Sequence, residues 1–161
     1  MGRKSISRRA FIAGACAAGT LTLSGTADAS AAPTPQHDIQ KLTITQTPNV
    51  GIAVKDNLPV GAFVAPLAAA SSGVDATRVW LEPMPGNACL TSLSGARIGI
   101  TWRNESSGRN GTSVFPACRG ATPVVSPSLQ TGTGKISFTT SVVGRGGQTF
   151  TLRPGSGSIE R

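Results

Sequence analysis

The sequence predicts an all-β protein, a small immunoglobulin-like β-sandwich of about seven or eight strands, with a small barrel as the alternative. Two observations carry this prediction. Apolar and polar residues alternate in short runs separated by turn residues, and no segment has a convincing helical period. The nearest to a helix is residues 65–70, which Pro66 limits to a turn or two. Because a lone hairpin is marginal in water, the strands are expected to pack face to face.

The predicted strands follow one another along the chain with turn signals between them. In order they cover residues 42–45, 50–54, 60–67, 77–82, 97–103, 112–118, 135–143 and 148–152. The clearest is 97–103, where Ile98, Ile100 and Trp102 alternate with smaller or polar residues. This phase predicts that Trp102 packs in the core.

A hydrophilic hairpin loop is predicted over residues 104–111, with Asn110-Gly111 as its turn dipeptide. Polar loops on a rigid strand scaffold commonly carry binding residues. Asn104, Glu105, Arg109 and Asn110 are therefore predicted to form a binding loop.

The first residues resemble a twin-arginine (Tat) export signal. Ser7 precedes the pair Arg8 and Arg9, and Phe11 follows it, although Ile12 stands where this family usually has Leu. The resemblance implies that the Tat translocase is a partner during export of the folded chain. It also implies a bacterial protein that is secreted, extracellular or associated with the cell envelope.

The rest of residues 1–31 has the other parts of a signal peptide. A weakly apolar core over 11–23 leads to two small-residue cleavage sites, which predict cutting after Ala29 or Ala31. This core is shorter than the roughly 20 residues of a membrane span, so no stable span is expected. The alternatives are an ordinary secretory signal, an uncleaved anchor and a lipoprotein signal acylated on Cys16.

Four regions are predicted. Residues 1–31 form the Tat-type signal peptide, 32–40 a flexible leader with prolines, 41–154 the β-sandwich domain and 155–161 a C-terminal tail. The formal charge of +8 for the whole chain falls to about +5 without residues 1–31. The remaining basic residues are spread singly and there is no Tyr, so nucleic acid is not an expected partner.

Cys89 and Cys118 remain after removal of the signal, and an even pair in an exported chain predicts a disulfide. Trp102 follows Cys89 at the spacing found in antibody domains, but Cys118 comes too soon for an inter-sheet disulfide of that kind. The bond is expected to attach the lead-in of one strand to its hairpin neighbour. Two cysteines without histidines do not make a structural zinc site, so neither metal nor cofactor is expected.

No set of residues has the spacing of a catalytic site. His37, the one histidine, lies in the predicted leader, and the acids are scattered. The sequence therefore favours a non-enzymatic module that binds a cell-envelope polymer or an extracellular protein. One alternative is a secreted hydrolase inhibitor that presents residues 114–118. Another is a carbohydrate-active enzyme using Glu82 and Glu105, with Trp80 as a sugar platform.

Residues 132–138 (Gly-Thr-Gly-Lys-Ile-Ser-Phe) carry a second resemblance. This segment resembles the same region of small secreted immunogenic β-sandwich proteins of high-GC Gram-positive bacteria. The resemblance implies a sandwich fold and nothing finer.

Overall fold

The computed structural model describes residues 40–161, and all regular secondary structure within that range is β. The strands are β1 (Lys41–Leu42), β2 (Thr45–Thr47), β3 (Asn49–Lys55), β4 (Leu58–Ala65), β5 (Leu67–Ser71), β6 (Thr77–Leu81), β7 (Arg97–Asn104), β8 (Asn110–Pro116), β9 (Cys118–Arg119), β10 (Thr122–Pro123), β11 (Lys135–Val143), β12 (Gln148–Arg153) and β13 (Gly155–Glu160). They are more numerous than predicted, partly because Pro66 separates β4 from β5.

All strand pairs are antiparallel and form four open sheets, so the sandwich prediction is confirmed and the barrel is not observed. The five-stranded sheet has the order β2-β13-β11-β7-β8, and the two three-stranded sheets have the orders β12-β3-β4 and β1-β5-β6. β9 and β10 form a short hairpin. The core lies between the inner face of the five-stranded sheet and side chains of β4, β5 and β6.

Alternation within β7 and β11 fills this core as predicted. Ile98, Ile100 and Trp102 of β7 are buried, and Ile136 and Phe138 of β11 are buried beside them. Each fully buried aliphatic or aromatic side chain contributes roughly 1.5–3 kcal/mol to the free energy of unfolding. This row of large side chains therefore fixes the phase of both strands.

The predicted C-terminal tail is wrong for residues 155–160, which form β13 between β2 and β11. Glycine and serine are poor strand formers, so the sequence conceals this strand. Gly155 is required there because a Cβ would lie 2.5 Å from Asn49 Nδ2. Ile159, which is 2% exposed, anchors the strand in the core.

Arg161 follows β13 and fixes its end. Its guanidinium donates hydrogen bonds to Ser71 Oγ at 3.0 Å and to the Gly73 carbonyl. Burial lowers the pKa of Arg161, and the negative charge of Asp75 opposes that shift. The side chain remains charged and ties β13 to the loop after β5.

The predicted Cys89–Cys118 disulfide is present, with Cα atoms 5.5 Å apart. It joins the turn-rich segment between β6 and β7 to β9. The pair is compatible with an oxidising extracellular environment.

The predicted export residues Ser7, Arg8, Arg9 and Phe11 and the predicted cleavage residues Ala29 and Ala31 lie outside the described residues. The same holds for Cys16, His37 and nearly all of the leader. These assignments stay predictions.

Candidate functional site

The predicted binding loop divides into one buried and three exposed residues. Glu105, Arg109 and Asn110 are exposed, whereas Asn104 is completely buried at the end of β7. The assignment of Asn104 as a contact residue is therefore wrong, because its side chain is enclosed by the protein itself.

The buried amide of Asn104 organises two loops. Its Nδ2 donates to the carbonyls of Thr131 and Thr133 at 2.8 and 2.7 Å. Its Oδ1 accepts from the backbone N–H groups of Ser106 and Ser107, both at 2.9 Å. All four hydrogen bonds available to an asparagine amide are thus used. Asn104 holds the loop after β7 against the loop before β11.

The prediction that Asn110-Gly111 forms the turn is also wrong. Asn110 and Gly111 lie in β8, and the turn comes before them, with Gly108 in the left-handed region at φ 74°. Gly111 pairs with Trp102, whose ring atom Cζ2 would lie 2.8 Å from a Cβ at position 111. This glycine serves packing and not the turn.

Within residues 40–161, the side chains of the exposed loop residues make few polar contacts. Glu105 Oε2 lies 3.9 Å from Lys135 Nζ, and Asn110 Nδ2 donates to the Gly108 carbonyl at 3.4 Å. A role for this loop in binding stays a prediction.

The segment proposed to inhibit a hydrolase is not a protruding loop. Residues 114–116 end strand β8, and Phe115 and Ala117 are buried. Val114 and Pro116 of the same segment are exposed, and an inhibitory role for it stays a prediction. The other named candidate, Glu82, forms an exposed ion pair of 3.0 Å with Lys41.

A different surface emerges on the outer side of the β12-β3-β4 sheet. We call it the apolar face, and it consists of Val50, Ile52, Val60, Ala62, Val64 and Met84. Among its large side chains, Val50 is 44% exposed, Ile52 49%, Val60 39% and Met84 54%. Clustered exposed side chains of this size commonly mark an interaction site.

Backbone pairing aligns the apolar face into rows. Val50 pairs with Val64 on one side and with Arg153 on the other, and Val64 is bridged to Met84. The next row joins Ile52 to Ala62 and Thr151. Together with Pro85, these residues surround an open groove of about 440 Å³. Among the described residues, Arg153 is the one cation lining this groove.

The phase of β3 explains why these side chains face outward. Its inward positions are Asn49, Gly51 and Ala53, all buried. Gly51 pairs with Phe63, and the Phe63 ring and Leu152 Cβ would each lie 3.0 Å from a Cβ at position 51. Phe63 thus fills the space a larger inward side chain would need. Alternation in 50–54 predicted the strand, but it did not reveal which face is buried.

Other chemistry is sparse in the described range. Within residues 40–161 no three His, Cys, Asp or Glu side chains gather into a metal-binding group. The same range contains no helix long and apolar enough to cross a membrane.

The fold and site define a small β-sandwich with an exposed apolar sheet face. No protein-family model, curated protein or solved structure matches the chain. Its function is therefore argued from the site itself.

Proposed function

We propose that this chain is an exported, non-enzymatic binding module that contacts an extracellular protein through the apolar face. The observation that carries the proposal is the exposure of Val50, Ile52 and Val60 on one side of the β12-β3-β4 sheet, together with exposed Met84, which is bridged to Val64 of that sheet. Export is supported by the resemblance of Ser7, Arg8, Arg9 and Phe11 to the Tat signal.

The chemistry of the groove favours a protein partner with an apolar contact strip. Burial of apolar surface contributes about 25 cal/mol per Å², and aliphatic side chains offer little else to a ligand. Val50 and Ile52 are β-branched and stand on a paired strand, so they lose little side-chain freedom on binding. Arg153 at the rim would form an ion pair with an acidic residue of the partner.

A photo-crosslinking amino acid at position 52, compared with position 74, tests the proposal in cells that export the chain. Val74 is 82% exposed in the loop between β5 and β6, so it controls for an apolar side chain off the face. We expect one extracellular protein to crosslink from position 52 and none from position 74. The mass of the bait should show that it begins at Ser30 or Ala32.

Substitutions then separate binding from folding. The pair Ile52→Thr and Met84→Gln should weaken capture of that protein about tenfold or more, since each removes a central apolar contact. Val74→Thr should leave capture unchanged, and none of the three should shift Tm appreciably. Equal crosslinking from both positions, or capture that survives the pair, would contradict the proposal. Bait that retains residues 1–31 would contradict export with cleavage.

A further inference from the structure

We propose that the outer face of the five-stranded sheet binds a polysaccharide that carries carboxylate groups. This surface, the hydroxyl face, is formed by the outward side chains of β2, β13, β11, β7 and β8. It differs in composition from the apolar face and does not depend on the function proposed for it.

A hydroxyl row crosses the whole sheet. Strand pairing places five exposed residues, one from each strand, side by side: Thr47, Ser156, Thr139, Thr101 and Thr112. The adjacent row contains Thr45, Ser158, Ser137, Arg103 and Asn110. Neighbouring strands are about 4.8 Å apart, so the rows present hydroxyl groups at a regular spacing.

These hydroxyls are available to a ligand. Among residues 40–161, none of the five side chains of the hydroxyl row makes a hydrogen bond to another protein group, whereas Ser137 in the adjacent row donates to the Arg103 carbonyl at 3.3 Å. A free hydroxyl can both donate and accept. Threonine is also a good strand former, so its presence on a strand would by itself be weak evidence for a binding site. The argument rests on the combination of this row with a depression and two cations.

The depression lies at Gly99, between Ser141 of β11 and Val114 of β8. It has a volume of about 290 Å³, near the lower end of the roughly 300–1,000 Å³ usual for small-molecule sites. A Cβ at position 99 would lie 2.8 Å from Ser141 Oγ, so the Ser141 hydroxyl lies close beside Gly99 in this depression. Val114 and Pro154 supply apolar walls.

A sugar ring suits this depression. Its C–H groups can pack on Val114 and Pro154, while its hydroxyls can exchange hydrogen bonds with Thr101 and Ser141. No aromatic side chain is among the outward residues of these five strands, so the base stacking of single-stranded nucleic acid has no platform here.

Charge on the hydroxyl face favours an acidic polymer over a neutral one. Arg97 and Arg103 point outward from β7 and are exposed, about 20 Å apart at the rise of an extended strand. Neither forms an ion pair within residues 40–161, and Arg97 Nη2 donates only to the Val114 carbonyl at 3.3 Å. A guanidinium presents paired donors that match a carboxylate.

The nearest acids on this face lie beyond Arg103. Glu160 pairs across strands with Lys135, and Glu105 is 3.9 Å from the same Lys135 ammonium. The strip from Arg97 to Arg103 holds Gly99 and Thr101 and no acid. A carboxylated chain lying along β7 would therefore meet two cations with hydroxyls and the depression between them.

Binding of the exported chain to polygalacturonate tests the proposal, with dextran and poly-glutamate as comparison polymers. Dextran has the hydroxyls without the charge, and poly-glutamate has the carboxylates without the sugar. We expect polygalacturonate to bind about tenfold or more tightly than either, because only it can use both arginines and hydroxyls. Equal binding to poly-glutamate, equal binding to dextran or no binding to polygalacturonate would each overturn the proposal.

Two double variants locate the surface. Arg97→Gln with Arg103→Gln should weaken polygalacturonate binding about tenfold, as should Thr101→Val with Thr139→Val. Their matched controls, Arg78→Gln on β6 with Arg119→Gln on β9, and Thr149→Val with Thr151→Val on β12, should bind as the parent does. Binding that survives both double variants, or falls equally in the controls, would contradict this location. Ile52→Thr should not affect it, so failure here is distinguishable from failure at the apolar face.

Discussion

The two outer faces of this sandwich use the same alternation with opposite results. In β7 the large residues Ile98 and Ile100 face the core and Thr101 faces outward. In β3 the large residues Val50 and Ile52 face outward and Gly51 faces the core. The five-stranded sheet therefore presents hydroxyls to solvent, whereas strands β3 and β4 of the other sheet present aliphatic side chains.

The comparison shows that a large side chain on the neighbouring strand can decide which face of a strand is buried. Phe63 on β4 occupies the space inside Gly51, and Trp102 on β7 occupies the space inside Gly111. Each sheet thus pairs one aromatic ring with a cross-strand glycine. In β3 the cost of this arrangement is that Val50 and Ile52 are left exposed, which is tolerable where a partner covers them.

Removal of residues 155–161 should have the largest effect, because it takes β13 out of the sheet that carries the hydroxyl face. β13 pairs with both β2 and β11, and Ile159 is buried, so the five-stranded sheet would lose an internal strand. We expect the shortened chain to lose its cooperative melt in circular dichroism and to be digested rapidly by protease. Ser156→Ala with Ser158→Ala in the full chain should keep the parent Tm within a few degrees. A shortened chain that melts cooperatively would show that β13 is dispensable.

Asn49→Ala tests the polar link between the two sheets. Its Nδ2 donates to Thr140 Oγ1 at 2.7 Å, and its Oδ1 accepts from the Gly155 N–H at 2.8 Å. The substitution leaves the buried Gly155 N–H without its acceptor, while Thr140 Oγ1 keeps its hydrogen bond to the Gly155 carbonyl at 3.2 Å. This loss should lower the free energy of unfolding by about 2–4 kcal/mol. Urea denaturation measures the loss, and exposed Asn110→Ala is the control, expected within about 0.5 kcal/mol of the parent. A loss below 1 kcal/mol would show that the sheets hold together without this link.

The sequence was sufficient for the features that depend on local pattern. Alternation located most strands, the phase of β7 put Trp102 in the core, and the two cysteines predicted their bond. It failed where distant pairing decides. The Gly-Ser run at 155–158 has no strand signal of its own, and its pairing with β2 and β11 comes from distant parts of the chain.

The candidate surfaces depend even more on register. Asn104 resembles any polar loop residue until its four buried hydrogen bonds are seen. The hydroxyl row takes one residue from each of five strands, spread from Thr47 to Ser156. No spacing along the chain reveals it, because only the sheet order brings those residues together.

The prediction with the smallest expected effect tests whether both sheets depend on the packing of an aromatic ring against a glycine of the neighbouring strand. Gly51→Ala and Gly111→Ala place a methyl 3.0 Å from Phe63 Cζ and 2.8 Å from Trp102 Cζ2. Neither glycine has a positive φ, so without that crowding alanine would stabilise each strand through the unfolded state. We expect instead a loss of about 1–3 kcal/mol for each in urea denaturation, the usual cost of overpacking.

The matched control for both is Gly86→Ala. Gly86 also lacks a positive φ, and a Cβ there meets nothing within 4 Å, so the variant should be as stable as the parent or slightly more so. Equal losses of stability at positions 51 and 111 would mean that the contact between an aromatic ring and a glycine constrains the packing of both sheets in the same way. A loss at position 111 alone would mean that β3 can shift away from Phe63. In that case the outward direction of Val50 and Ile52 would need a cause other than packing, and selection for a partner would be the stronger explanation.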